Sequence, residues 1–180
     1  MKNPILVVSL VLLLCFAFGC QNKAEKAELE KFRAQSKLEE QNGVLIRSVF
    51  EGLNKKKAAF YQELYAPAYA WYFPSINPKS LSREEEAEFE KVIWDRFPDI
   101  NWSIEELIAK DDRVIARFIC KGTHKGEFQG IPATGNKIES SGIFIARIEN
   151  AKVIEVREDF DMLGFMQQLG MELKPKEVKK

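Results

Sequence analysis

Four β-prone runs fill the second half of the chain, and the way they are joined limits the folds open to it. Trp102–Ile108 gives way to the polar turn Lys110-Asp111-Asp112-Arg113, and Val114–Thr123 follows at once. After a long glycine-rich connection, Lys137–Ile148 turns through Glu149-Asn150-Ala151-Lys152 into Val153–Phe160. Turns this tight join antiparallel neighbours, because a parallel pair needs a crossover of about a dozen residues or more. The runs therefore predict an antiparallel meander. A short helix, Met162–Leu169, closes the series, with Gly170 placed as a C-terminal glycine cap. Helices first, strands next and a helix last specify an α+β fold, not a parallel α/β sheet. One sheet curled around the first-half helices can enclose an apolar pocket.

The first half carries the helical signals. Leu45, Ile46, Val49, Phe50 and Leu53 repeat at helical spacing, while Gly52 and Asn54 weaken that helix toward its end. Phe60–Tyr65 reads as a short amphipathic segment stopped by Pro67. Tyr69–Phe73 is aromatic and β-prone, closed by Pro74, and residues 75–79 form a loop. Ser82 with Glu85 makes a capping box, and Glu84 and Glu86 also suit a helix start. That helix carries Phe89, Val92, Ile93 and Phe97 and ends at Pro98. Hydrophobic residues at 46% and charged residues at 30% describe a chain that folds. Lys+Arg and Asp+Glu balance at 27 each, which argues against a general nucleic-acid binder. Three cysteines and one histidine leave little material for a metal centre, so no metal is expected.

The N-terminus reads as an address. Lys2 precedes the uncharged apolar run Ile5–Phe18, too short to span a membrane comfortably, which takes about 20 residues. Ala17-Phe18-Gly19-Cys20 resembles the bacterial lipobox, whose cysteine is lipidated after cleavage before it. The resemblance implies a signal peptide over 1–19 and a lipid, such as palmitate, on Cys20. It further implies membrane anchoring at the cell envelope, on the outer membrane where there are two. An ordinary signal peptide and an uncleaved anchor remain the other readings. Residues 20–40 then form a charged helical stalk, 41–171 the domain and 172–180 a charged tail. Cys15 leaves with the signal, and Cys120 is left as a small buried hydrophobe.

The connection Gly122-Thr123-His124-Lys125-Gly126-Glu127-Phe128-Gln129-Gly130-Ile131-Pro132-Ala133-Thr134-Gly135 is the most specific stretch. It lacks the Gly-Lys-Ser/Thr of a phosphate loop, and a strand follows it. It resembles the signature of the SnoaL-like ester and polyketide cyclases, of the nuclear-transport-factor-2-like superfamily. Glu63-Leu64-Tyr65-Ala66-Pro67, Phe97-Pro98-Asp99, Asp112–Arg117 and Asp161-Met162-Leu163-Gly164 with Gln167–Gly170 extend the likeness from about Glu40 to Gly170. The resemblance implies a cone of curved antiparallel sheet and helices around a hydrophobic cavity, often dimeric through the sheet. It implies cofactor-free aldol cyclisation by a carboxylate working as general acid/base.

Asp161 matches the late-strand aspartate of that family, His124 the motif histidine and Arg117 the motif arginine. Asp161 is equally placed to cap the helix at Met162. His124, beside glycines, suits a loop-ordering hydrogen bond as well as proton transfer. Arg117, Arg147 and Arg157 have Glu139, Glu155 and Asp159 as cross-strand partners. Tyr72 stands where many members have histidine, and Arg157 where the late strand usually has tryptophan. Trp71, Tyr72, Phe73, Trp94, Trp102 and Phe128 are candidates to line a ligand site or to fill the core. Two functions are open: an acid/base cyclase or isomerase acting on a small carbonyl compound, and a lipoprotein that binds a small apolar ligand or a partner without catalysis.

Overall fold

The computed structural model describes residues 4–172 and 174, with side chains from residue 23 onward. The signal-peptide and Cys20 readings fall outside the described side chains, and most of the 172–180 tail falls outside the described residues. Two units make up the chain, residues 1–38 and 39–180. Helix α1 is assigned over Pro4–Lys55. Within the first unit, every side chain from Lys23 to Ala34 is exposed. Among the described residues, no helix is long and apolar enough to cross a membrane.

In the second unit, the end of α1 buries Ile46, Val49, Phe50 and Leu53, the spacing read from the sequence. Two asparagines fasten this segment to the neighbouring strand. Asn54 exchanges both amide hydrogen bonds with the backbone of Trp102, at 2.8 Å each, and Asn42 donates to the Asp111 carbonyl at 2.9 Å. Gly52 has a packing reason: a Cβ there would lie 2.4 Å from Cγ of Phe60. Helix α2 (Ala59–Leu64) runs into β1 (Tyr65–Tyr72), and α3 (Arg83–Arg96) begins at the Ser82–Glu85 capping box, both halves of which form.

Strands β2 (Asn101–Lys110), β3 (Arg113–Thr123), β4 (Lys137–Glu149) and β5 (Lys152–Phe160) form the expected antiparallel meander. Helix α4 (Met162–Gln168) closes the chain. The sheet order is β1-β5-β4-β3-β2, so a fifth strand joins the meander, parallel to β5. The sequence reading began this strand only at Tyr69, because Pro67 looked like a stop. Proline is tolerated here because β1 is an edge strand, and the register shifts between Tyr65 and Ala70, where Pro67 lies. One face of the sheet is the core side, with Val114, Ala116, Phe118 and Cys120 of β3 facing the same way as Ile138, Ser140, Phe144 and Ala146 of β4.

Helix α3 departs from its expected phase. Val92 is exposed, and the buried side carries Glu86, Ala87, Glu90, Ile93 and Trp94. The outer-face ion pairs match the expected set in part: Arg147 and Glu155 pair directly across the β4–β5 ladder. Arg117 pairs with Glu105 of β2, Glu139 with Lys121, and Glu155 serves both Arg147 and Arg157. Arg117 and Glu139 instead take partners outside that set.

Candidate active site

A cavity of about 60 Å3 lies on the inner face of the sheet, bounded by α3, α4 and the connection after β3. A single water needs about 10–15 Å3 of such space, so a small organic group can enter. Its walls are built by strand alternation. Phe118 and Cys120 project from β3, and Glu158 and Phe160 from β5. Gly142 makes this wall feasible. It pairs with Phe118 across the ladder, and a Cβ there would lie 2.6 Å from Cζ of Phe118 and 2.8 Å from the Asp159 carbonyl.

Two carboxyl groups line this otherwise apolar space, Glu90 from α3 and Glu158 from β5. Burial pushes Glu158 up to about 7, against a steadying hydrogen bond from the Trp71 indole at 3.1 Å. Burial raises Glu90 well above the usual carboxylate range, and Glu86 and Glu158 nearby add to the rise. Glu90 Oε2 is buried without a hydrogen-bond partner. One turn earlier on the same helix face, Glu86 is pushed up to about 8 by burial. The Tyr61 hydroxyl donates to its Oε1 at 3.3 Å, and the Tyr69 hydroxyl approaches without meeting hydrogen-bond geometry. Burial holds the Cys120 thiol up to about 12, so it stays neutral. Among the described residues, no three His, Cys, Asp or Glu side chains gather into a group able to hold a metal ion.

The residues singled out from the sequence are scattered by comparison. Asp161 is exposed and caps α4, accepting from the Gly164 N–H at 2.9 Å. The glycine of that Asp-Met-Leu-Gly segment serves the cap: a Cβ on Gly164 would lie 2.2 Å from Asp161 Oδ2. Asp161 does not line the cavity. His124 is fully buried but lies behind Phe97, stacked on that ring at 5.2 Å between centroids, while Phe97 faces the cavity. Its Nδ1 accepts from the Thr134 N–H at 3.3 Å and lies 3.1 Å from the Thr134 hydroxyl. With His124 N–H bonded to the Asn136 carbonyl, the histidine orders the loop.

Of the six aromatics, Phe73, Trp102 and Phe128 line the cavity; Trp71 touches it through Glu158. Trp94 is core, and Tyr72 lies outside with the Arg157 guanidinium 4.3 Å from its ring centre. Arg117 is exposed on the outer face. The glycine-rich connection works as a bracket. Lys125 and Gly126 donate to the Arg96 carbonyl, Asp99 accepts from both the N–H and hydroxyl of Thr123, and Phe128 is thereby seated in the wall.

Sequence reading missed Glu90 and Glu158. Glu158 had a signal: alternation from Val156 through Phe160 puts it on the inner side, whereas Arg157 and Asp159 point out. Glu90 had none, because the charge-rich run Glu84-Glu85-Glu86 disguised the phase of the helix.

The family model of the SnoaL-like polyketide cyclases matches residues 43–169. This chain belongs to that family. Aklanonic acid methyl ester cyclase DauD of Streptomyces sp. (strain C5) is 28% identical over 134 residues, spanning 70% of this chain and 80% of that protein. Aklanonic acid methyl ester cyclase DnrD of Streptomyces peucetius is also 28% identical, over 70% and 88%. Wild-type IdmH from Streptomyces antibioticus superposes with a TM-score of 0.66 at 24% identity, covering 73% of this chain and 99% of that one. That last likeness concerns the fold.

Proposed function

We propose that this chain is a cofactor-free acid/base catalyst of the cyclase or isomerase type, acting on a small apolar carbonyl compound. The observation that carries the reading is the pair Glu90 and Glu158 in one apolar cavity. Two acids whose surroundings separate their proton affinities divide the work of base and acid. Glu158, near 7, is ionised in a large fraction at neutral pH and takes a proton from the carbon beside a carbonyl. Glu90, held higher, keeps its proton and donates a hydrogen bond to the enolate oxygen as charge develops there. Ring closure or proton return then completes the reaction. Trp71 holds the Glu158 carboxylate in place.

The test is exchange of α-protons of benzyl methyl ketone in heavy water, followed by NMR, with wild type against Glu158→Gln. Catalysis predicts a loss of about 10²–10⁴-fold in the variant. Equal rates sink the reading. The same proposal places the protein at the cell envelope through lipid on Cys20, supported by the apolar run that ends at Gly19-Cys20. Palmitate labelling that disappears in Cys20→Ser agrees with it, and unchanged labelling removes it.

A further inference from the structure

The cavity wall is electrically one-sided. Eight of its fifteen lining side chains are aromatic, and its ionisable carboxyls are Glu90 and Glu158. Among the described residues, no lysine, arginine or histidine lines it. Glu90 is 9% exposed, and its unpartnered Oε2 has no cation beside it. The Trp71 N–H occupies Oε2 of Glu158, which leaves Oε1 for a guest. Aromatic faces carry the negative end of the ring quadrupole, so carboxylates and rings attract the same kind of guest. An anion is repelled by both. A neutral guest leaves the acids without a counterion. A cation gains from both, and it supplies the pairing that a buried carboxylate needs.

We infer that this cavity binds a small organic ammonium ion with an apolar body, with Glu158 as its counterion and Glu90 accepting a second N–H. The site shares the cavity of the catalytic reading but does not depend on turnover. Phe118, Phe160 and Phe165 supply ring surface around the apolar part, and Phe128 closes the side toward the glycine-rich connection. Binding favours ionised Glu158, so affinity rises with pH through the Glu158 midpoint. Among the described residues, every titratable group coupled to it is acidic: Tyr65 from β1, Glu86 and Glu90 from α3, Cys120 from β3, and the neighbouring, outward-pointing Asp159 on β5. None of them competes with the guest as a cation.

The experiment is calorimetric titration of the full chain with benzylamine and with benzyl alcohol, which has nearly the same shape and no charge. At about pH 8, benzylamine is expected to bind at least about tenfold more tightly, a difference of ~1.4 kcal/mol. Near pH 5.5 the preference should fall away. Glu158→Gln should abolish the preference. Where circular dichroism shows that this variant does not fold, Glu90→Leu replaces it, removes the second N–H acceptor and should reduce the preference. Equal affinities at pH 8, tighter alcohol binding, or no binding of either probe overturns the inference. Benzylamine binding without α-proton exchange leaves the ammonium site standing and removes the catalytic reading. Exchange without amine preference does the reverse.

Discussion

Replacing Trp71 by Phe removes one atom pair that matters, the indole N–H donating to Glu158 Oε2 at 3.1 Å. The phenyl ring can keep the packing against Phe73 and Phe89, whose centroids lie 5.2 and 5.4 Å from the indole. A hydrogen bond to a charged group contributes about 1.5–3 kcal/mol. One pH unit of midpoint corresponds to ~1.36 kcal/mol, so the Glu158 midpoint should climb by about one to two pH units. It starts at about 7 because burial already outweighs the indole. At neutral pH the ionised fraction then drops from about half to roughly a tenth or less. The assay is carbon-detected NMR titration of the glutamate carboxyls, with Glu158 assigned by the signal missing from Glu158→Gln. Benzyl methyl ketone exchange should show its alkaline rise displaced by the same amount. An unchanged or lower midpoint in a folded Trp71→Phe protein would refute the role given to the indole, whatever happened to the rate.

Two further outcomes concern stability. Glu86 titrates at about 8 when folded, against an ordinary value of 4.5, so the folded chain holds the extra proton between those values. Stability is therefore full below about 4.5, is lost progressively as pH rises from there to about 8, and levels off above. Glu86→Gln, whose amide oxygen can still accept from Tyr61, should melt higher than wild type above about pH 8 and match it near pH 5, as read by thermal denaturation at each pH. Asp161→Ala should cost about 0.5–2 kcal/mol in urea unfolding through loss of the α4 cap, and Asp161→Asn should recover most of it. Equal stability of the alanine variant and wild type would show that the cap is not needed.

Most of the architecture was legible because local rules and global fold agree. The turn at Glu149-Asn150-Ala151-Lys152, the Ser82–Glu85 box and the helical spacing of Ile46, Val49, Phe50 and Leu53 each act over a few residues, and each appears in place. Strand β1 was read short because its pairing is distant: nothing near Pro67 announces Val153 as its neighbour. The site was harder for the opposite reason. Motif residues drew attention, yet His124, Gly126 and Asp161 secure a loop and a helix end. The acids in the cavity are ordinary glutamates in charged surroundings, distinguished only by which way the backbone turns them. Strand parity would have found Glu158, since a two-residue repeat is rigid. Glu90 required the phase of α3, and that phase is fixed by packing on β1 and α2, not by the helix's own sequence.

The parallel edge formed by β1 also sets an order of assembly. Strands β2 to β5 are joined by short connections and the single bracketed loop, so their ladders close early and at small entropic cost. Trp71 and Glu158 are 87 residues apart, and their hydrogen bond awaits the docking of a strand that lies before the whole meander. Pairings at such separation slow folding. A chain caught before that step holds a sheet in which Glu158 lacks its indole. The fold thus completes the surroundings of Glu158 last: the indole that steadies its ionised carboxyl against burial arrives only when the outermost strand is laid down.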